Sequence, residues 1–205
     1  MRPSVQELAP RLAGAAGPAV VPPDLFCRAR PYDPVDPGLV FTNPELRDAH
    51  REQYIAAAYP GTALADTGAL LAMMDAAPGV AAGPTGVTGF CMAGRLAPGT
   101  FRERIAAAAS CHGGGRAGDA PASPHLLAPG MTAKVDVAGA IEDARIDDAE
   151  KARLEQALGD PDAAHRGEIR PARHGRVPRD MPVHDPVEAD HHRQRLIPLR
   201  GGAGC

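Results

Sequence analysis

Val5, Leu8, Ala9 and Leu12 recur at helical spacing, so apolar side chains share one face of a predicted amphipathic helix over residues 4–15, with Ser4 as its N-cap. Ala19-Val20-Val21, closed by Pro22-Pro23, predicts a short strand. Residues 24–44, dense in Pro and Asp, read as loop. Residues 45–58 and 64–75 carry helical patterns, the second with Leu70, Leu71 and Met74 on one face and Pro78-Gly79 as its stop. Strands are predicted at 86–89, at 105–110 (weak, mostly alanine), at 133–138 (Ala-Lys-Val-Asp-Val-Ala, alternating) and at 168–170. Residues 149–158 form a helix with Leu154, Ala157 and Leu158 on its apolar face, and Asp147 with Glu150 makes a start like a capping box. A last helix over 185–197 is expected to break at Pro198. Strands alternating with helices predict an α/β fold with a mostly parallel sheet flanked by helices.

Composition narrows this picture. The 205 residues suffice for one sizeable core, which predicts a single domain over 1–199 and a flexible tail over 200–205. With 23 Gly, 22 Pro, 3% aromatic residues and no Trp, much of the apolar content is alanine, and large core side chains are scarce. Such a core gains less dispersion energy than an average one. The net charge of −3 comes without any basic stripe interleaved with aromatics, which argues against a nucleic-acid partner. The Ala/Val-rich stretch 12–21 holds Gly14, Gly17 and Pro18 and is too short to span a bilayer; a cytoplasmic protein is expected. Cys27, Cys91, Cys111 and Cys205 form no CxxC motif, which fits reduced thiols in a reducing compartment.

The run Gly86-Val87-Thr88-Gly89-Phe90-Cys91-Met92-Ala93-Gly94-Arg95 carries the chemistry. A β-branched segment leads into a turn whose central Cys91 has small neighbours two before and two and three after. This is the layout of a nucleophile elbow, in which the central residue is held in a strained backbone conformation at a helix N-terminus. An elbow calls for an acid after a later strand and then a histidine. Asp143 follows the strand ending in Val137-Ala138, at the strand end where open α/β sheets place their sites, and His174 follows the strand at 168–170. Cys91 is then the nucleophile, His174 the base that takes its proton, Asp143 the group that orients the imidazole, and the Met92 backbone N–H an oxyanion donor.

These residues, with Pro23-Asp24-Leu25-Phe26, Arg28, Pro31-Tyr32, the run 123–129 (Ser-Pro-His-Leu-Leu-Ala-Pro), Arg173-His174-Gly175 and Val183-His184-Asp185, resemble the dienelactone hydrolase family, α/β-hydrolases with a Cys–Asp–His triad. The resemblance runs from Arg2 to about His192. It implies cofactor-free hydrolysis of a small-molecule ester or lactone through a thioester, with dienelactones from catechol degradation as the substrate class. It places Arg28 where a substrate carboxylate binds and Arg179 near a second such position. It also implies that the chain begins late, without the family's first strands and the loop that gives the second oxyanion N–H. That motivates an alternative, an impaired remnant acting as a non-enzymatic interaction or thiol protein. Ala93 stands where the family usually has Gly.

Other motifs read more plainly. Cys111-His112 is a strand end entering a Gly-rich turn, because strand neighbours point to opposite faces. Gly113-Gly114-Gly115 is a flexible turn. His184, Asp185, Asp190, His191 and His192 form a solvated polar face rather than a metal site. An elbow thiol also oxidises readily, but no resolving cysteine is near Cys91 in sequence.

Overall fold

A computed structural model describes residues 1–16, 19–29, 32, 34–56, 58, 60–81, 83–96, 105–121, 123–140, 147–159, 166–172 and 175–201. They divide into two compact units, one of residues 1–82 with 178–184 and one of residues 83–177 with 185–205.

The first unit is helical. Helix α1 (Pro3–Ala16) starts one residue before the expected cap. Pro3 supplies the fixed φ of a first helical position, and the Arg2 carbonyl accepts the Val5 and Gln6 N–H groups, so Ser4 lies inside the helix and is buried. The expected strand at 19–21 is irregular chain without ladder partners. The loop at 24–44 contains a 3₁₀ turn (Cys27–Ala29) and helix α2 (Pro37–Thr42), capped by the Asp36 carboxylate on the Gly38 N–H. Helix α3 (Pro44–His50), capped by Asn43, widens into a π segment at Arg51–Ile55. Helix α4 (Pro60–Ala76) covers the predicted 64–75 and adds a turn before it. Phe26, Tyr32, His50 and Tyr54 pack together, with Phe26 and Tyr32 ring centres 4.8 Å apart and Tyr32 and Tyr54 4.9 Å apart. Burial lowers the His50 pKa. The segment 178–184 is tied to α1 by Arg2–Asp180 at 2.8 Å and Arg179–Glu7 at 2.5 Å.

The second unit is a four-stranded sheet, β1 (Thr85–Phe90), β2 (Ile105–Cys111), β3 (Lys134–Ala140) and β4 (Arg166–Ala172), in that spatial order and parallel throughout. The expected weak strand is interior, between β1 and β3: Ile105, Ala107, Ala108, Ala109, Ser110 and Cys111 of β2 are all buried. Parallel sheets covered on both faces favour such continuous small apolar runs. A short helix α5 (Met92–Leu96) follows β1.

Alternation along β3 sorts the two helical layers. Val135 and Val137 pack with Leu154 and Leu158 of α6 (Asp148–Leu158), beside Ala117, Ala128 and Met131. Asp136 points the other way, within 4.0 Å of Arg195 on α7 (Pro186–Gly201). Helices α6 and α7 therefore cover opposite faces. Asp147 caps α6 by accepting the Glu150 N–H at 2.6 Å. Glu150 does not complete a capping box: its buried carboxylate accepts the Arg116 and Ala117 N–H groups at 2.7 and 3.4 Å, fastening the turn after β2 to α6. Asp185 caps α7 through the Val187 and Glu188 N–H groups. Helix α7 continues through Pro198 to Gly201 rather than stopping there; residues 202–205 of the expected tail lie outside the described residues.

Candidate functional site

Cys91 sits between β1 and α5 with φ 51°, in the left-handed region that a side chain enters at a cost of about 1–3 kcal/mol. The surrounding contacts hold it there. Its N–H donates to the Cys111 carbonyl at 2.8 Å, and its carbonyl accepts the Arg95 N–H at 3.2 Å. A Cβ at Gly89 would lie 2.1 Å from the Ala93 carbonyl oxygen, and one at Gly94 would lie 2.8 Å from the Cys111 carbonyl oxygen. The small residues expected at these positions are thus required by backbone contact. Ala93, by contrast, carries its methyl in place. Below the turn, Ser110 Oγ donates to the Gly94 carbonyl at 2.7 Å and accepts from the Arg116 guanidinium at 3.1 Å. Two of the glycines after β2 are closely packed: Gly115, at φ 69°, lies against the Arg95 guanidinium, and a Cβ at Gly113 would lie 2.7 Å from the Arg95 backbone nitrogen.

Met92 is the first residue of α5. Its N–H belongs to the first turn, where a helix offers no internal acceptor. Asp143 and His174 lie outside the described residues. The strands that lead to them are described: β3 ends at Ala140, three residues before Asp143, and β4 at Ala172, two before His174. Because the sheet is parallel, these ends share one edge with the end of β1. Just after His174, Gly175 meets the cap of α7, with its carbonyl accepting the Asp185 N–H at 3.1 Å.

Arg28 and Arg179 belong to the first unit. The Arg28 guanidinium grips Asp66 with two hydrogen bonds of 3.0 and 2.6 Å. That bidentate bond raises the Arg28 pKa and lowers that of Asp66. The fork expected to receive a substrate carboxylate is occupied by a carboxylate of the protein. Arg179 likewise pairs with Glu7.

Sequence reasoning missed a buried group on α7. His191 is exposed, but His192 is 2% exposed and is not part of a solvated face. Its ring lies 3.3 Å from Thr88 Oγ1 and 3.3 Å from Cys111 Sγ, and edge-on to Phe90 at 5.3 Å. Its place four residues before buried Leu196 was the only local signal. Burial, with a smaller contribution from the Arg176 guanidinium, lowers its pKa from 6.5 to about 4. The unfolded chain therefore takes up a proton near pH 6.5 that the folded chain resists until about pH 4. Stability is expected to fall across that window as pH drops, by about 3 kcal/mol in all from this group. Thermal melts of wild type and His192→Gln between pH 7 and 4 check this; an equal acid loss in both would refute it. Arg176 itself is held by Glu188 at 3.0 Å and donates its N–H to His112 Nε2 at 3.3 Å.

Among the described residues, no three or more His, Cys, Asp or Glu side chains are grouped to hold a metal, and no helix is long and apolar enough to cross a membrane. Residues 3–198 match the dienelactone hydrolase family. Among solved structures, a protein of Klebsiella pneumoniae subsp. pneumoniae assigned as a dienelactone hydrolase superposes with TM-score 0.74 at 21% identity, over 97% of this chain and 80% of that one. A dienelactone hydrolase-like promiscuous phosphotriesterase from metagenomic libraries gives TM-score 0.62 at 18% identity, over 98% of this chain and 81% of that one. An acylaminoacyl peptidase of Pyrococcus horikoshii gives 0.50 at 15% identity, over 65% of this chain and 26% of that one. None of the curated proteins matches in sequence.

Proposed function

The chain belongs to the dienelactone hydrolase family and has the α/β-hydrolase fold, and from that premise we propose that it hydrolyses a small carboxylic ester or lactone through a thioester on Cys91. The observation that carries this reading is the left-handed backbone of Cys91 at a strand–turn–helix junction closed by Gly89 and Gly94. His174 takes the thiol proton as the sulfur attacks the carbonyl carbon. The carbonyl electrons move to oxygen, and the Met92 N–H donates a hydrogen bond to that oxyanion. They return as the alkoxide leaves with the proton from His174. Water, deprotonated by His174, then attacks the thioester, and the acid departs as Cys91 recovers its proton. Asp143 keeps the imidazole in the tautomer this requires. The working unit is a single domain over 1–199, located in the cytoplasm, with no cofactor.

The test is turnover of a p-nitrophenyl ester and of a dienelactone by the purified chain, with iodoacetamide as inhibitor and peptide mapping of the alkylated residue. Loss of turnover in step with labelling of Cys91 is expected. Full turnover by a chain alkylated at Cys91 would overturn the reading.

Arg28 and Arg179 would bind the carboxylate of an anionic lactone, and the Asp66 grip on Arg28 competes with that role. Asp66→Asn is expected to lower KM for the anionic lactone by about threefold and to leave KM for the uncharged p-nitrophenyl ester unchanged. Steady-state kinetics on the two substrates reads the difference, and equal shifts for both would remove Arg28 from substrate binding.

A further inference from the structure

Cys111 is the buried thiol that the hydrolytic reading leaves unused. It is 1% exposed, at the end of β2, and its sulfur lies 3.3 Å from His192 Nδ1. Its carbonyl accepts the Cys91 N–H at 2.8 Å, and its α-carbon is register partner to that of Phe90. Standard backbone lengths added to that hydrogen bond put the Cys91 and Cys111 α-carbons no more than about 6.7 Å apart. That is within the range that disulfides span. The residue absent near Cys91 in sequence is therefore present beside it in space.

We propose that Cys91 and Cys111 form a redox pair, in which Cys111 resolves a sulfenic acid made on Cys91 by a hydroperoxide and closes a reversible disulfide; this rests on reading Cys91 as the reactive thiol. In the first step the Cys91 sulfur attacks the peroxide O–O bond. Sulfur is oxidised to the sulfenic acid, and the peroxide is reduced to water or an alcohol. In the second step the Cys111 sulfur attacks the Cys91 sulfur. The S–S bond forms, the S–O bond breaks, and oxygen leaves as water.

Burial raises the Cys111 pKa, the low-dielectric surroundings disfavouring the thiolate. Cys111 is therefore a poor first target for an oxidant, and its proton needs an acceptor as it attacks. His192 fills that place: its imidazole is neutral at pH 7 and touches the sulfur. Exposure separates the roles, since Cys91 is half-buried and Cys111 sealed. The other described cysteine, Cys27, is exposed in the first unit. Closing the bridge takes the Cys111 sulfur out of its contact with His192. It blocks the nucleophile while sparing it from the irreversible sulfinic state.

The experiment treats the reduced full chain with hydrogen peroxide, blocks remaining thiols with N-ethylmaleimide and maps peptides without reduction. Wild type is expected to yield a Cys91–Cys111-linked peptide that dithiothreitol removes as the starting ester rate returns. Cys111→Ser is expected to yield Cys91 sulfinic acid and to recover none of its own starting rate. Sulfinic acid on Cys91 in folded wild type, or a link from Cys91 to Cys27 or Cys205, would overturn the pairing. The link is read by mass alone. A linked peptide from a chain without turnover would therefore refute the hydrolase reading and leave the pair standing, and turnover without a link would do the reverse.

Discussion

Gly89→Ala is expected to abolish most hydrolytic activity although it adds a single methyl group. The added carbon would stand 2.1 Å from the Ala93 carbonyl oxygen, 2.3 Å from its carbon and 2.7 Å from the Gly94 nitrogen. All three obstacles are backbone, so no side chain can swing away. The strand must separate from the first turn of α5, and both Cys91 and the Met92 N–H ride on that turn. A displacement near 1 Å at reacting atoms costs about 10²-fold in rate, and kcat for a p-nitrophenyl ester should fall by at least that much. Gly68→Ala serves as the control, since a Cβ there meets nothing within 4 Å in the middle of α4. It should stabilise the helix by roughly 0.5–1 kcal/mol and leave the rate alone. Wild-type kcat in a folded Gly89→Ala chain would mean that the turn does not carry the chemistry.

The second large effect concerns the nucleophile and its base. Cys91→Ala and His174→Ala are each expected to lower kcat/KM by about 10³-fold or more, since positioned base catalysis alone contributes about 10²–10⁴. The double variant is expected to be no worse than the poorer single one. A base has nothing to deprotonate once the sulfur is gone, and the sulfur stays a poor nucleophile without its base, so the two losses do not add. Kinetics on the three variants form a complete cycle. Additive losses would show that Cys91 and His174 act in separate steps and would remove the shared proton transfer from the mechanism.

The elbow was legible because its constraints are local. Gly89 is small for reasons contained within six residues, and the strand before Cys91 and the helix after it follow from the same run, although Gly94 also answers to the Cys111 carbonyl on β2. The parallel sheet was legible because strand and helix patterns alternate, and the α6 start because Asp147 and Glu150 sit three apart. What escaped depends on partners far along the chain. The Glu150 carboxylate looks like a cap partner in sequence, yet it serves N–H groups of Arg116 and Ala117 over thirty residues earlier. His192 reads as one of several polar residues on a helix, and only Thr88, Phe90 and Cys111 make it a buried one. The short apolar run 19–21 has strand-like residues but, among the described residues, no strand pairs with it, and propensity alone forms no ladder. Pro198 was expected to stop α7, yet the helix carries on through it to Gly201.

Strand order in the sheet follows chain order without a skip. During synthesis, β2, β3 and β4 each emerge to find the preceding strand already made, so the sheet can grow from one side as the ribosome delivers it. Helix α7 is the exception. It returns 104 residues to bring His192 beside Thr88, and 81 residues to bring it beside Cys111. Until α7 is released, the Cys111 thiol lacks the His192 ring that covers it. The nascent chain thus passes through an interval in which a cysteine buried in the folded chain is open to solvent, and the docking of α7 closes it.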